Sequence, residues 1–352
     1  MKKIFKTLFI IILLVLLAVA LLFTVLTITD YQPDSIVNIN TNSNQNEVVS
    51  CNEDLSILTW NIGYGSLSKN EDFFMDDGEK SRPDSKSIVE NNMNGIVNTL
   101  NKMDLDFSVI QEIDIKSRRS YNINQLDILE NHYENYSFNF AKNYDVLFVP
   151  VPWPPLGKIE SGISTFTKYS IEDSKRYQFE GNYSWPKKIA MLDRCFSVST
   201  IPIESKKEKL LIINAHFSAY DDGTLRKKQL EMIKSFITNE YKKGNYIVLG
   251  GDFNQTFDFI DISDFPLYKE GKFYMPHAIP KDFLDKDWKW GVSENAPTYR
   301  LLNTAYEKGI TQVGVIDGFL VSPNITIKEV EVLDCEFNYS DHNPVKMIFE
   351  LN

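Results

Sequence analysis

Eight polar side chains at or near the ends of predicted strands form a candidate site for chemistry. They are Asn61, Glu112, His216, Asp252, Asn254, Asp317, Asp341 and His342. Carboxylates combined with a carboxamide provide oxygen ligands, which suit a hard cation such as Mg²⁺ or Mn²⁺. The chain has no CxxC and no HExxH pattern, so a zinc site is not favoured. Histidines beside acids suit general acid–base catalysis, and a cation with an activated water suits hydrolysis of a phosphate ester.

Short apolar runs place these side chains at strand ends. The predicted strands include LSILTWN (55–61), DFSVIQEID (106–114), KLLIINAHFSAY, NYIVLGGDFNQ, GVIDGFLVS and PVKMIFEL. Amphipathic periodicity predicts helices over 84–103 and 224–244. Many strands and few helices within about 300 residues predict packed sheets with helices outside. Polar residues at the same ends of several strands are expected to converge on one cleft.

The N-terminal segment has the composition of a membrane span. The run from Leu8 to Ile28 holds 21 residues without a charge, and three lysines precede it. The positive-inside rule predicts a single-pass cell-membrane protein with a cytoplasmic N-terminus and an extracytoplasmic catalytic domain. We therefore divide the chain into an anchor (1–29), a flexible polar tether (30–53) and a catalytic domain (54–352). A cleaved signal peptide is the alternative, and the protein would then be secreted.

Charge and cysteine content limit the classes of partner. The formal net charge is −11, and removing the three anchor lysines leaves about −14 on the exported part. Such a surface does not attract nucleic acid by itself, whereas a bound cation would offset the charge at a phosphate site. Three cysteines give no disulfide framework. Free thiols are expected, with a Cys195–Cys335 bridge as the alternative.

Six motifs together resemble those of a known superfamily. In chain order they are TWNIGYG, VIQEID, INAHFSAY, GGDFNQ, VIDGFLVS and YSDHNPV. Their order and spacing resemble the endonuclease/exonuclease/phosphatase superfamily, which includes deoxyribonuclease I, neutral sphingomyelinases and inositol polyphosphate 5-phosphatases. The resemblance spans about residues 55 to 350. It implies an α/β (α+β) four-layer sandwich, with two packed, mostly antiparallel mixed sheets flanked by helices. It also implies a phosphoesterase dependent on Mg²⁺ or Mn²⁺.

The resemblance also implies roles for the metal-binding side of the site. Glu112 resembles the principal metal ligand and is assisted by Asn61. Asp341 resembles a second carboxylate on the metal side. Asp252 and Asn254 resemble the pair that positions the nucleophile and holds the phosphate.

The two histidines resemble the proton-transfer groups of the family. His342 resembles the general base, held in its tautomer by Asp317. His216 resembles a second histidine that stabilises developing charge or protonates the leaving oxygen. Which of the two activates the water is left open. His132 and His277 lie outside the motifs and are expected at the surface.

The substrate is less directly encoded. The segment FVPVPWPPLGK (148–158) predicts a stiff apolar loop that contacts substrate or membrane, or a connection that covers the core. Arg194 and Arg118 are candidate phosphate-binding residues, whereas Arg119 and Lys187 are interpreted as solvated charges. The favoured substrate of a monomeric enzyme is a phospholipid headgroup phosphodiester. The alternatives are an extracellular nuclease acting on DNA or RNA, and a non-catalytic binding module on the same fold.

Overall fold

A computed structural model describes residues 2–43, 45–263, 265–266 and 278–352. His277 lies outside the described residues. The helices are α1 (Lys2–Ile28), α2 (Lys86–Leu100), α3 (Gln125–His132) and α4 (Thr224–Lys242), with 3-10 turns at Gly63–Gly65, Phe74–Asp76, Arg118–Ser120 and Lys187–Ala190. The predicted helices at 84–103 and 224–244 are therefore confirmed, each slightly shorter than expected.

The strands follow in chain order. They are β1 (Ile36–Asn38), β2 (Thr41–Asn42), β3 (Leu55–Asn61), β4 (Phe107–Asp114), β5 (Ser137–Val149), β6 (Gly157–Thr167), β7 (Asp173–Gln178), β8 (Cys195–Pro202), β9 (Lys209–His216), β10 (Tyr246–Asp252), β11 (Thr256–Phe257), β12 (Ala278–Ile279), β13 (Lys289–Gly291), β14 (Tyr299–Arg300), β15 (Val313–Gly314), β16 (Asp317–Val321), β17 (Ile325–Val332) and β18 (Val345–Leu351).

Two seven-stranded sheets dominate the fold. One has the order β1-β7-β8-β9-β10-β16-β13, and the other has the order β17-β18-β3-β4-β6-β5-β2. Within them only β9 with β10 and β3 with β4 pair in parallel. Both sheets are thus mixed and mostly antiparallel, as expected.

The sheets pack face to face and carry helices on their outer faces. Ile57 of β3 and Val248 of β10 belong to the apolar layer between the sheets. On the outer face of the first sheet, Ile213 packs in a cluster with Ile233 of α4. The outer face of the second sheet packs against α2 and α3. Because both faces of a central strand are buried, β3 reads as a nearly continuous apolar run. The four-layer sandwich is confirmed.

The segment expected to be a flexible tether packs partly on the domain. Strand β1 pairs with edge strand β7, and β2 pairs with edge strand β5. Val49 is fully buried and bridges to Ile203. Edge strands offer unpaired backbone groups that any extended segment can satisfy. The polar composition of 30–53 therefore did not reveal this docking, and the expectation of free flexibility along the whole segment needs correction.

Most of helix α1 lies outside the packed layers, and its last turns contact the domain near Trp185. Its most apolar 18-residue window has a mean hydropathy of 3.4, and none of that window is buried. By length and composition α1 can cross a membrane, although a signal sequence has the same properties. All three cysteines are free, as the main interpretation expected.

Candidate active site

Three predicted site residues lie side by side across the first sheet. His216 ends β9, Asp252 ends β10 and Asp317 begins β16. The register pairs His216 with Asp252 and Asp252 with Asp317. All three side chains are about 1% exposed. The backbone hydrogen bonds of the sheet therefore hold these three residues in a row, and burial leaves their side chains little freedom to move.

The second sheet supplies two oxygen donors from its parallel pair of strands. Asn61 is the last residue of β3 and is buried. Glu112 lies in β4 where the register with β6 shifts between Ile110 and Ile113. Its φ of 60° is a left-handed conformation that is rare for a side chain of this kind. The bulge turns Glu112 towards the cavity, and the strand continues to Asp114, in agreement with the predicted strand over 106–114.

The loop before β18 brings in the remaining acid and histidine. His342 Nδ1 lies 2.8 Å from Asp317 Oδ2, so residues 25 positions apart form a buried ion pair. Trp60 Nε1 donates to the His342 carbonyl at 2.9 Å and ties the loop to β3. Asp341 Oδ2 lies 3.9 Å from His342 Nε2. The sequence pair is therefore split, with one side of the imidazole held by Asp317 and the other facing the cavity.

Asp252 is the central acceptor of the site. Its Oδ2 lies 3.3 Å from His216 Nε2, accepts from Asn61 Nδ2 at 3.1 Å, and lies 4.0 Å from His342 Nε2. The backbone N–H of Asn254 donates to Asp252 Oδ1 at 2.7 Å. One carboxylate thus connects both histidines with both carboxamides.

Two glycines allow the motifs to approach closely. Gly63 has a φ of +52°, and a Cβ at this position would lie 2.6 Å from Asp341 Oδ1. Gly251 has a φ of +154°, and a Cβ there would overlap the Ala215 carbonyl oxygen. Both positions need glycine for conformation and for space. The sequence pattern contained both glycines, but only the packing shows what they accommodate.

The pKa values of His216 and Asp252 both lie below the ordinary values of these groups, for different reasons. Burial, and secondarily Arg194, lowers the pKa of His216. Although burial opposes it, the hydrogen bond from His216 and the charge of His342 hold the pKa of Asp252 below its usual range. His216 is therefore neutral and Asp252 is charged at neutral pH.

The second histidine behaves oppositely because acids surround it. Burial alone would lower its pKa, but Asp317, Asp341 and Asp252 together raise the pKa of His342 well above its usual value. Burial raises the pKa of Asp317 to about 6, against the lowering effect of His342. Burial, with the Glu112 charge adding to it, raises the pKa of Asp341 to about 7. His342 is therefore an imidazolium among closely spaced acids.

The donor set fits a hard cation. Glu112 lies near enough to Asp341 for its charge to raise the pKa of Asp341. A cation between two such carboxylates would relieve their repulsion. A second grouping places ligand atoms of Asp252, Asp317 and His342 within 4.8 Å of one another. We favour the first grouping because the Asp317 and His342 atoms already bond to each other.

These residues form one end of a cavity of about 390 Å³. Seven of the eight predicted side chains line it, and Asp317 lies behind His342. The rest of the wall is largely apolar and includes Leu67, Phe73, Met75, Val151, Leu156 and Met191. The cavity thus joins a charged floor to an apolar wall.

The arginines differ from the sequence-based expectation. Arg194 lines the cavity, and its Nη1 is buried without a hydrogen-bond partner. Arg118 is exposed and does not line the cavity. Arg119, expected to be solvated, is 6% exposed and lines the cavity, with bonds of 3.1 Å and 2.9 Å to Asp114. Its guanidinium lies 3.2 Å from the centroid of the Tyr64 ring. Lys187 lines the cavity but is exposed, as expected.

A comparison with family models decides the relationship. The model described as "Endonuclease/Exonuclease/phosphatase family" matches residues 58–342. The chain belongs to the endonuclease/exonuclease/phosphatase family. Members of this family are phosphodiesterases, nucleases or phosphatases, and they generally depend on a divalent metal. The chain is therefore an enzyme of the phosphoric ester hydrolase class, and its buried acid–histidine cluster agrees with metal dependence.

Solved structures of the same fold are distant in sequence. An endonuclease/exonuclease/phosphatase from Bacteroides vulgatus is 17% identical, covers 85% of this chain and 100% of its own, with a TM-score of 0.53. TDP2 from D. rerio, complexed with a single-strand DNA product, is 14% identical with a TM-score of 0.52, covering 85% and 100%. The human Nocturnin catalytic domain with bound sulfate is 14% identical with a TM-score of 0.52, covering 89% and 98%. No curated protein matches the chain.

Proposed function

We propose that this protein is a membrane-anchored, extracytoplasmic phosphodiesterase that hydrolyses the headgroup phosphodiester of a phospholipid. The observation that carries this proposal is the cavity, whose charged floor continues into an apolar wall. A phosphate ester with an attached apolar chain matches both parts. A nucleic acid strand would instead be attracted by a basic surface, and the exported part of the chain carries a net charge of about −14.

Three side chains would hold the cation. Glu112 and Asp341 provide carboxylate oxygens, and Asn61 provides a carboxamide oxygen that already accepts from the Gly63 backbone at 3.0 Å. When bound, Mg²⁺ or Mn²⁺ neutralises charge on the phosphate oxygens and on the departing oxygen. Oxygen-only ligands suit either ion.

His342 serves as the general base. Its Nδ1–H donates to Asp317, which leaves Nε2 facing the cavity to accept a proton from water. The water oxygen then forms a bond to phosphorus while the ester P–O bond opposite it breaks. Asp341 is one of the acids that raise the pKa of His342, so a cation held by Asp341 would lower that pKa and favour the neutral imidazole.

The central pair positions the reacting groups. Asp252 is negatively charged and orients the attacking water, and Asn254 would turn the Nδ2–H that it donates to Asp252 at 3.2 Å towards the phosphate. His216 is neutral, so its Nε2–H, which lies 3.3 Å from Asp252 Oδ2, can donate a hydrogen bond to the leaving oxygen, and that oxygen takes its proton from solvent. Arg194, with one unpaired buried nitrogen, binds a further phosphate oxygen. Arg118 takes no part, because it does not line the cavity.

The test is a substrate panel with the full chain in detergent micelles, since β1 and β2 precede residue 54 and belong to the sheets. The panel contains bis-p-nitrophenyl phosphate, sphingomyelin, other phospholipids, plasmid DNA and RNA, each with Mg²⁺, Mn²⁺ or EDTA. Metal-dependent release of phosphorylated headgroup, lost in His342→Ala and retained in His132→Ala, supports the proposal. His132 is a matched control because it lies at the end of α3, outside the cavity.

Other outcomes would reject specific parts. Metal-dependent cleavage of DNA or RNA with intact lipids would replace the lipid substrate by the nuclease alternative. A folded protein that binds metal and turns over nothing in the panel would favour a binding module. Retained turnover in His342→Ala would reject the assignment of the base.

A further inference from the structure

Exposed apolar side chains outside α1 are concentrated beside the cavity. Seven large apolar residues in the described part of the chain are more than a third exposed outside α1. Four of them lie on the two segments 147–153 and 185: Leu147, Val151, Trp153 and Trp185. Trp153 is 89% exposed, an unusual state for the largest apolar side chain. We call these four residues the membrane rim.

The membrane rim is in direct contact with the end of α1. The Trp185 ring lies 5.9 Å from the Phe23 ring, and Trp185 Nε1 donates to Thr27 Oγ1 at 3.1 Å. Lys188 Nζ lies 3.9 Å from an Asp30 carboxylate oxygen just beyond the helix. The last turns of α1 therefore dock on the segment that holds Trp185.

The two rim segments belong to one packed unit. Tyr144 donates from its hydroxyl to the Ala190 carbonyl at 2.6 Å. Val149 and Leu156 form a buried cluster against which Ala190 packs. Val149, Leu156 and Ala190 also line the cavity. The membrane rim, the cavity mouth and the end of α1 are thus held together by direct contacts.

We propose that the membrane rim immerses in the interface of the same bilayer that α1 crosses, so that the cavity opens onto that bilayer. This inference rests on the membrane assignment made under the proposed function and identifies how the substrate reaches the site. A lipid would enter sideways from the leaflet, with its headgroup towards the charged floor and its chains towards the apolar wall.

The chemistry of the rim suits a lipid interface better than another protein. Tryptophan is enriched at the boundary between headgroups and acyl chains, where its ring and its N–H are both accommodated. Four prolines between 150 and 155 restrict the backbone of the loop, which reduces the entropy lost on immersion. Lys187 and Lys188 lie beside Trp185, where anionic headgroups would attract them. Contact with α1 itself selects the bilayer as the occupant.

Fluorescence quenching by brominated phospholipids tests immersion without using activity. The full chain is reconstituted in bilayers, and its emission is compared between brominated and ordinary lipid. Trp60 and Trp288 are at most 9% exposed, so they contribute little quenching. We expect clear quenching of the unmodified chain and its loss in Trp153→Phe/Trp185→Phe. Trp290→Phe is the matched control, because Trp290 packs against Phe253 and Phe257 in the apolar cluster that holds α4 on the first sheet.

A second measurement separates this proposal from the catalytic one. Trp153→Ser is expected to lower the initial rate on vesicle lipid about three- to tenfold, since burial of an aromatic side chain is lost. The same variant is expected to keep its rate on bis-p-nitrophenyl phosphate, because Trp153 does not line the cavity. Ile310→Ser, another exposed apolar position, is the control.

The outcomes are distinguishable. No quenching in a chain that stays with the membrane after alkaline extraction would overturn the immersion of the rim. Release of the chain by that extraction would overturn the membrane assignment, and the rim proposal with it. Quenching without hydrolysis of any lipid would uphold the rim and reject the proposed substrate. Equal loss of both rates in Trp153→Ser would assign Trp153 to folding and overturn its role in membrane contact.

Discussion

Asp317→Asn separates proton transfer from folding at this site. Asp317 and His342 are 1% and 6% exposed and lie 2.8 Å apart, so water screens their interaction little. Asparagine keeps the shape but removes the charge that stabilises the imidazolium. Its amide N–H₂ can also turn Nδ1 into an acceptor, which leaves the proton on Nε2 and blocks the base.

The magnitude follows from this geometry. Loss of an oriented general base costs about 10²–10⁴ in rate, or about 2.7–5.4 kcal/mol of transition-state stabilisation. Burial already disfavours the charged form of Asp317, whose pKa is raised to about 6. Removing one member of a buried pair costs about 3–5 kcal/mol when a charge is left unpaired, but here His342 can lose its proton and the buried charge of Asp317 is gone, so the free energy of unfolding is expected to fall by only about 1–2 kcal/mol. A large effect on rate with a small effect on stability is the expected signature.

The assay is kcat/KM for bis-p-nitrophenyl phosphate with saturating Mg²⁺ across pH, with thermal unfolding measured in parallel. Removing the Asp317 charge lowers the pKa of His342, so the acidic limb of the profile should move to lower pH. Asp106→Asn is the control, because Asp106 accepts from Ser56 at the other end of the sheet. In a double-mutant cycle, Asp317→Asn should cost almost nothing once His342 is alanine. Activity of Asp317→Asn within about threefold of normal, or full additivity in the cycle, would refute the pairing.

Three further predictions concern the metal, the backbone and charge outside the site. Glu112→Gln should weaken Mg²⁺ affinity at least about tenfold, measured by Mg²⁺ titration of activity and by calorimetry; an unchanged affinity would remove Glu112 from the ligand set. Gly63→Ala should lower both activity and the free energy of unfolding, by about 1–3 kcal/mol, because its Cβ meets Asp341. Gly309→Ala, with a positive φ but open space, should lower stability alone. Burial, with the charge of Asp30 just beyond α1 adding to it, raises the pKa of Asp193 to about 7. The folded state therefore holds a proton that the unfolded state has lost, and stability falls as pH rises from about 4 to about 7. Asp193→Asn should raise the free energy of unfolding by about 2–3 kcal/mol more at pH 8 than at pH 5, as measured by denaturant titration in micelles. Equal gains at both pH values would mean that Asp193 does not titrate there.

The local sequence pattern was sufficient to predict a site residue when its position follows from the strand that carries it. His216 and Asp252 end buried apolar runs, and parallel pairing of those runs puts them side by side. The amphipathic helices were equally readable, because periodicity alone defines the buried face of α4. The order of the six motifs then identified the family that the comparison confirmed.

Tertiary partners were beyond the reach of pattern. Arg118 and Arg119 are adjacent residues of the same type, yet only Arg119 points inward. Its guanidinium pairs there with Asp114 and lies over the Tyr64 ring. The bulge at Glu112 leaves no mark on composition, since strand and bulge contain the same residue types. Strand β1 was missed because its pairing with β7 uses backbone groups alone.

The neighbours of β18 have a consequence for when the enzyme becomes active. This strand inserts between β17 and β3, so Met347 pairs with Ile57 although almost the whole sequence separates them. During synthesis, Glu112, His216 and Asp252 therefore leave the ribosome long before the residues that complete the site. On the proposed mechanism, a partly synthesised chain cannot activate water, because His342 arrives with the closing strand. The order of the motifs along the chain thus keeps the phosphoesterase activity silent until the last of them has been translated.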